Sequence, residues 1–321
     1  MKATLAVFSI VAAALVAPAH AQSFPTKPLE FIVHTGPGGG SDIFTRVVAD
    51  IMAKDKLLPA PAIIMNKAGG GGAIAQNYVA GKRGDPYTVY AIAASLMVAI
   101  PIRNGTDTGL DKFHPLGLLG FDINSIAVRA ESPYRTVKEL VDAARANPKG
   151  VTISVGSVGS GSHYLPFRLE QLAGVRFNVV HMKSGAEAVT TALGGHVHAT
   201  GEQLAEMTQY IESGRVRVLA VASQKRVAAL PDVPTLKEAG YDLQVGAGRG
   251  FMSPAGISKD AAAMLESAFE KVYKSAVWRD YMRRNYYEDT YMNGAELGRY
   301  MTAIKPDVER FIKELGLANK P

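Results

Sequence analysis

The sequence predicts an α/β fold in which parallel sheets are covered by helices. Three observations carry that prediction. Strand-like apolar runs alternate with helix-like segments along most of the chain. Two of the strands run into a glycine-rich turn and then a helix N-terminus. The 321 residues include no Cys, so a hydrophobic core large enough for two ordinary domains must hold the protein together.

The elements follow in order. The first glycine unit runs from Leu29-Glu30-Phe31-Ile32-Val33 through Thr35-Gly36-Pro37-Gly38-Gly39-Gly40-Ser41-Asp42 into a helical pattern, Ile43 to Ala53. Pro61 to Met65 is a short apolar run, followed by Asn66-Lys67-Ala68-Gly69-Gly70-Gly71-Gly72 and a helical stretch, Ala73 to Ala80. Tyr87 to Ala93 and Ser125 to Val128 read as strands. Arg135 to Leu140 opens an amphipathic helix that stops near Asn147-Pro148-Lys149-Gly150. The second glycine unit runs from Val151-Thr152-Ile153-Ser154-Val155 through Gly156-Ser157-Val158-Gly159-Ser160-Gly161-Ser162-His163 into Tyr164 to Ala173. Asn178 to His181 is the next strand, and Gly185 opens a helix over Ala186 to Leu193 with Gly194-Gly195 as its stop. Val197 to Thr200, Arg217 to Ala222 and Arg249 to Ser253 read as strands; Lys259 to Ser275 and Gly294 to Leu315 read as helices. No low-complexity linker or solenoid repeat interrupts them, so two lobes would be joined by strand crossovers.

The ends and the composition bound the function. Lys2, the apolar run Leu5 to Val16 and Ala19-His20-Ala21 read as a secretory signal peptide cleaved after Ala21. That run is too short to span a bilayer comfortably, and no Cys at the cleavage point supports a lipid anchor. No later segment is long and apolar enough to span a membrane, and the mature product is expected to be soluble and exported. The net charge of +6 is spread over scattered Lys and Arg with no basic arm. This argues against nucleic acid and for anionic small molecules drawn in by steering.

Each glycine unit exposes backbone N–H groups at the positive end of a helix dipole, which is an anion site. Two such units suggest one anion held between two lobes, because ligand crevices in open parallel sheets lie at the carboxyl ends of the strands. Enzymatic alternatives lack their signatures. The first loop misses the G-x-G-x-x-G spacing, no Ser lies in a G-x-S-x-G elbow, and no Walker A loop is present. Asp42 reads first as an N-cap or first-turn acid. Ser157, Ser160 and Ser162 are donors to a carboxylate or helix caps. His163 can donate to a ligand or cap the loop, and Arg249, between two glycines, is a carboxylate clamp or a salt-bridge partner. His196 and His198 share a strand face but lack the further ligands of a metal site, and no cofactor is expected.

Together with the leader, these segments resemble the tripartite tricarboxylate transporter substrate-binding proteins, the Bordetella uptake gene family. Phe24-Pro25-Thr26-Lys27-Pro28, both glycine loops, Leu219-Ala220-Val221-Ala222-Ser223, Leu230-Pro231-Asp232-Val233-Pro234-Thr235 and Pro254-Ala255-Gly256 carry the resemblance in order along the mature chain. Ile126 to Tyr134, Ser95-Leu96, Glu206-Met207 and Arg249-Gly250-Phe251 look closer to its citrate-binding branch. The resemblance implies a type II periplasmic binding protein: two α/β lobes of mostly parallel sheet with a ligand cleft between them. The expected lobes are residues 22–124 with 249–321, and residues 125–248. It also implies a monomer that captures a small tricarboxylate or dicarboxylate by hinge closure and hands it to integral-membrane transporter subunits. Alternatives are a ligand sensor for a receptor kinase and an exported α/β hydrolase. One ligand carboxylate would meet Pro37, Gly38, Gly39, Gly40, Ser41 and Asp42 of the first loop and Ser157, Gly159, Ser160, Gly161, Ser162 and His163 of the second. The far end would meet Ser95, Ser184, Gly185, Glu202 and Arg249. Many relatives carry Asp-Asn after the strand preceding Glu202, where this chain has Ala199-Thr200-Gly201; an acid there serves ligand amino groups or bound water.

Overall fold

The structure is a computed structural model that describes residues 24–318. The expected signal peptide, residues 1–21, lies outside the described residues. The chain begins with β1 (Leu29–Val33), α1 (Gly40–Lys54), β2 (Ala62–Asn66), α2 (Ala73–Ala80), β3 (Thr88–Ala93), α3 (Ala94–Asn104) and β4 (Phe113–Ile123). It continues with β5 (Ser125–Arg129), α4 (Val137–Ala146), β6 (Thr152–Val155), α5 (Gly161–Ala173), β7 (Asn178–His181), α6 (Gly185–Leu193), β8 (Ala199–Thr200), α7 (Thr208–Glu212) and β9 (Val216–Val221). β10 (Gly246–Pro254), α8 (Lys259–Lys274), α9 (Ala276–Arg284), β11 (Met292–Asn293) and α10 (Gly294–Glu314) follow. Among the described residues no helix is long and apolar enough to cross a membrane.

Two sheets result, a six-stranded one in the order β11-β4-β10-β3-β1-β2 and a five-stranded one in the order β7-β6-β8-β5-β9. The α/β class holds, but the sheets are more mixed than mostly parallel. β1 pairs in parallel with β2 and β3, and β6 with β7 and β8. β10 runs antiparallel between β3 and β4, and β5 antiparallel between β8 and β9. The parallel strands are those returned by covering helices, and they carry the glycine loops. The antiparallel strands are those that take the chain between the sheets.

Alternation along β1 divides the first core. Leu29, Phe31 and Val33 face a cluster with Phe44, Phe251, Phe269 and Trp278, whereas Ile32 faces Tyr90, Ile92, Met97 and Leu118. Phe251 stacks on Phe269 at 4.4 Å between centroids, and Phe44 meets Trp278 edge-on at 5.1 Å. The second core packs Ile126, Val128, Ile153, Val155 and Leu219 under Leu140, Val141, Leu165 and Leu169 of α4 and α5.

Three elements were not legible as such in the sequence. β4 contains Pro115, Gly117 and Gly120, which read as breakers. Glycine is needed there because the strands lie close: a Cβ on the opposing Gly250 would strike the Gly117 carbonyl. α3 carries Pro101 inside it, and α9 is short, with four charged residues in nine. Conversely, the strand expected from Val197 shortens to β8, and His198 leaves it to accept the Thr152 N–H at 3.0 Å.

The chain passes from the first sheet to the second through the single residue Asn124 and returns between β9 and β10. The two crossings are bonded side by side. Ala222 N–H donates to the Asn124 carbonyl at 2.8 Å, and Val245 N–H to the Ala222 carbonyl at 2.8 Å. Asn124 is fully buried, and its side-chain amide donates to the Gly201 carbonyl at 3.1 Å.

Candidate ligand-binding cleft

The loops that follow β1, β2, β3, β6, β7 and β8 converge between the two sheets around a polar cavity of about 230 Å³. Each glycine loop presents an open helix end to it. Gly39 is the N-cap of α1 and Ser160 that of α5, and no side chain caps either one. α6 differs: the Ser184 hydroxyl accepts the Glu187 N–H at 3.2 Å and closes its end. The unsatisfied N–H groups of α1 and α5, with their dipoles, therefore favour an anion in the cavity.

Asp42 is what shapes the first loop. Its carboxylate is buried and accepts the Gly38 N–H at 2.8 Å, Arg46 Nε at 2.9 Å and the Asn66 amide at 2.9 Å. Burial pushes its pKa up, but the bonds from Arg46, Gly38 and Asn66 outweigh that and hold it below the usual carboxylate range. In the second loop Ser160 Oγ donates to the Ser157 carbonyl at 2.6 Å and lies 3.0 Å from Ser162 Oγ.

Of the residues expected at the site, Gly39, Gly40 and Ser41 of the first loop and Ser157, Ser160, Gly161 and Ser162 of the second line the cavity. So do Ser95, Ser184, Gly185, Glu202 and Arg249. Pro37, Gly38, Asp42, Gly159 and His163 do not. Asp42 and Gly38 are occupied in bracing the loop from behind. His163 turns away to accept the Gly159 N–H through Nδ1 at 3.3 Å and to pack edge-on against His181, 4.4 Å between centroids. Burial, with His181 beside it, pulls its pKa down to about 4, so it is neutral near pH 7. Gly159 instead faces a second, more apolar cavity of about 330 Å³ among Phe121, Tyr164, Tyr300 and Phe311, which shares Ser95, Ser160 and Gly161 with the first. The first glycine loop lines only the smaller of the two, which is therefore the candidate site.

Arg249 is a salt-bridge partner and also lines the cavity. It is 5% exposed; Nη2 pairs with Asp122 Oδ2 at 2.8 Å and Nη1 donates to Ser41 Oγ at 2.8 Å. Ser41 Oγ lies 3.4 Å from His34 Nε2, and His34 Nδ1 lies 3.4 Å from the Ala91 carbonyl. The carbonyl requires the proton on Nδ1, so Nε2 accepts from Ser41. Burial, and then the Arg249 charge, pull His34 down to about 4.

The far wall is acidic. Glu202 is 1% exposed, and its Oε1 accepts the Gly156 N–H at 2.5 Å. Burial pushes its carboxyl up to about 7, against the Gly156 and Ser162 hydrogen bonds. Glu206 is pushed well above the usual range by burial and by the neighbouring Glu202 and Asp122, and its buried Oε2 has no hydrogen-bond partner. Burial also raises Asp122, partly offset by Arg249. Three carboxyl groups thus share one guanidinium, and burial favours the protonated forms of Glu202 and Glu206. The backbone makes room for them: a Cβ on Gly40 would lie 2.9 Å from both Arg249 Nη2 and Glu206 Oε1, and one on Gly185 would overlap Glu206 Oε2. His34, Asp122 and Arg103 were not singled out in the sequence, and Glu206 entered only through the resemblance. An acid inside the apolar run of β4 was the available signal for Asp122.

The family model described as the tripartite tricarboxylate transporter family receptor matches residues 44–317, and the chain belongs to that family. A curated relative, the UPF0065 protein in the gbd 5′ region of Cupriavidus necator, is 31% identical over 95% of this chain and 93% of its own. A ligand-free TctC solute binding protein from Polaromonas superposes with a TM-score of 0.71 at 30% identity, over 91% of this chain and 100% of that one. MatC from Rhodopseudomonas palustris, solved with bound malate, superposes with a TM-score of 0.80 at 23% identity, over 90% and 100%. The chain is a solute-binding protein of the periplasmic binding type and not an enzyme.

Proposed function

We propose that the protein is an exported, periplasmic receptor that captures a small dicarboxylate or tricarboxylate between two lobes and delivers it to the membrane subunits of a tripartite tricarboxylate transporter. The observation that carries this is the pair of uncapped helix ends, α1 and α5, facing one polar cavity from the two sheets. One ligand carboxylate docks on the N–H groups around Gly40 and Ser41, and the Gly161 and Ser162 end completes its shell as the lobes close. Closing removes water and strengthens every one of those hydrogen bonds. Lys183 stands at the rim as an exposed cation that draws anions in. The lobes divide at Asn124 and at the second crossing near Val245, where the paired strands can bend together.

The acidic far wall narrows the ligand. The buried Glu206 Oε2 has no partner, which leaves a hydrogen-bonding position open to a ligand hydroxyl, ammonium or carboxyl group. MatC holds malate, a hydroxy-dicarboxylate of that description. The malate-bound neighbour supports the carboxylate reading.

Thermal unfolding of the chain beginning at Gln22 tests the reading against citrate, succinate, malate, glutamate, terephthalate and their amides. A ligand present at a hundredfold its dissociation constant adds about 2.7 kcal/mol and moves the midpoint by several degrees. A shift with a hydroxy- or amino-carboxylate and none with its amide is expected. No shift with any carboxylate, after denaturation and refolding to strip carried-over ligand, contradicts the reading.

A further inference from the structure

Arg103 stands near the end of α3 at the mouth of the cleft, outside the cavity that receives the ligand. Its Nη2 donates to the carbonyls of Gly70 at 3.1 Å and Gly71 at 3.0 Å, in the loop that follows β2. Its Nη1 donates across the mouth to the carbonyl of Val158, in the second glycine loop. One guanidinium therefore ties a loop of the six-stranded sheet to a loop of the five-stranded sheet. The loops are shaped for it. Gly70 and Gly71 hold φ values of +57° and +59°, and a Cβ on Gly71 would strike the guanidinium. On the far side Gly159, at φ +82°, would place a Cβ 3.6 Å from Nη1. Among the described residues Arg103 has no carboxylate partner; its acceptors are these carbonyls and the Asn104 side chain, 3.2 Å from Nε.

We propose that Arg103 is a positioning residue for solute capture: a latch that joins the lobes across the cleft mouth and sets how long the closed form, and so the solute, is held. This rests on the hinge-closure reading above. The latch needs the planar fork of arginine, because one group must reach carbonyls on both sides at once. Lysine keeps the charge but offers a single point, so it cannot span them. Neutral carbonyls do not titrate, so the latch holds equally from about pH 5 to pH 9.

The chain's lack of Cys allows the test. Ile74→Cys on α2 and Leu172→Cys on α5, at positions 53% and 43% exposed, accept spin labels on the two sides. Distance distributions are measured without ligand and with malate as the probe, and malate release is followed by stopped flow, for the parent, Arg103→Ala and Arg103→Lys. The expected result is that the ligand-free parent samples the short, closed distance and both variants lose it. Both variants also release malate about tenfold faster, and Arg103→Lys keeps the parent's association rate. Arg103→Lys matching the parent in distances and release overturns the proposal, as does an effect confined to the association rate of Arg103→Ala, which is steering alone. Failure of malate to bind the parent counts against the solute reading, while the ligand-free distances of parent and Arg103→Lys still decide the latch.

Discussion

Replacing Glu202 with Gln removes a buried titratable group while keeping the shape and the acceptor for the Gly156 N–H. In the folded protein burial raises this carboxyl to about 7, from an ordinary 4.5. A raised pKa in the folded state stabilises the fold below pH 4.5, and that stabilisation is lost as pH rises through 7. At pH 5 folding takes up most of a proton at this site; at pH 8 it takes up none. Integrated over that interval, the loss is about 2–3 kcal/mol. His34 and His163, depressed in the folded state, contribute stability above pH 6.5 that is lost as pH falls towards 4. They oppose the glutamate in the parent's own profile but cancel in the difference between parent and variant. Urea unfolding of both ligand-free proteins from pH 5 to pH 8 is the assay. Glu202→Gln should gain on the parent by about 2–3 kcal/mol as pH rises, with more if Glu206 titrates alongside. Parallel stability profiles would refute the assignment of a protonated, buried acid to the far wall.

Other outcomes follow from the same geometry. Arg249→Ala strands Asp122 as a buried unpaired acid and should cost about 3–5 kcal/mol in urea unfolding; a cost below 1 kcal/mol would contradict the buried ion pair. Gly185→Ala puts a methyl group into the space of the buried Glu206 Oε2, so calorimetric affinity for malate should fall about tenfold or more, with an overpacking cost of about 1–3 kcal/mol in the ligand-free protein; unchanged affinity would contradict the placement of the far wall. Asp42→Ala frees three donors that brace the first loop and should destabilise by about 2–3 kcal/mol; lost affinity with unchanged stability would instead make Asp42 a ligand contact.

The sequence shows the anion site better than the wall opposite it. Strand, glycine turn and helix start are contiguous in each unit, so local rules alone place Gly39 to Ser41 and Ser160 to Ser162 at open helix ends. The extra burden of Asp42, which braces its own loop, is also local. His34, Asp122, Glu206 and Arg249 come from four separate elements and become one cluster only when β10 inserts between β3 and β4. No spacing rule foresees that antiparallel insertion, and the glycines that permit it made β4 look like a loop. Arg103 was invisible for the same reason: its partners are backbone carbonyls some distance along the chain, which carry no sequence signature.

The most direct measurement is a crystal structure of the protein soaked with malate or the best binder of the carboxylate panel. The account predicts one ligand carboxylate within about 3 Å of backbone nitrogens at the starts of both α1 and α5, with a donor group of the ligand turned to Glu202 and Glu206. A carboxylate bound away from those two helix ends, for instance in the apolar cavity beside Phe121 and Tyr300, or touching one lobe only in a closed protein, would contradict it.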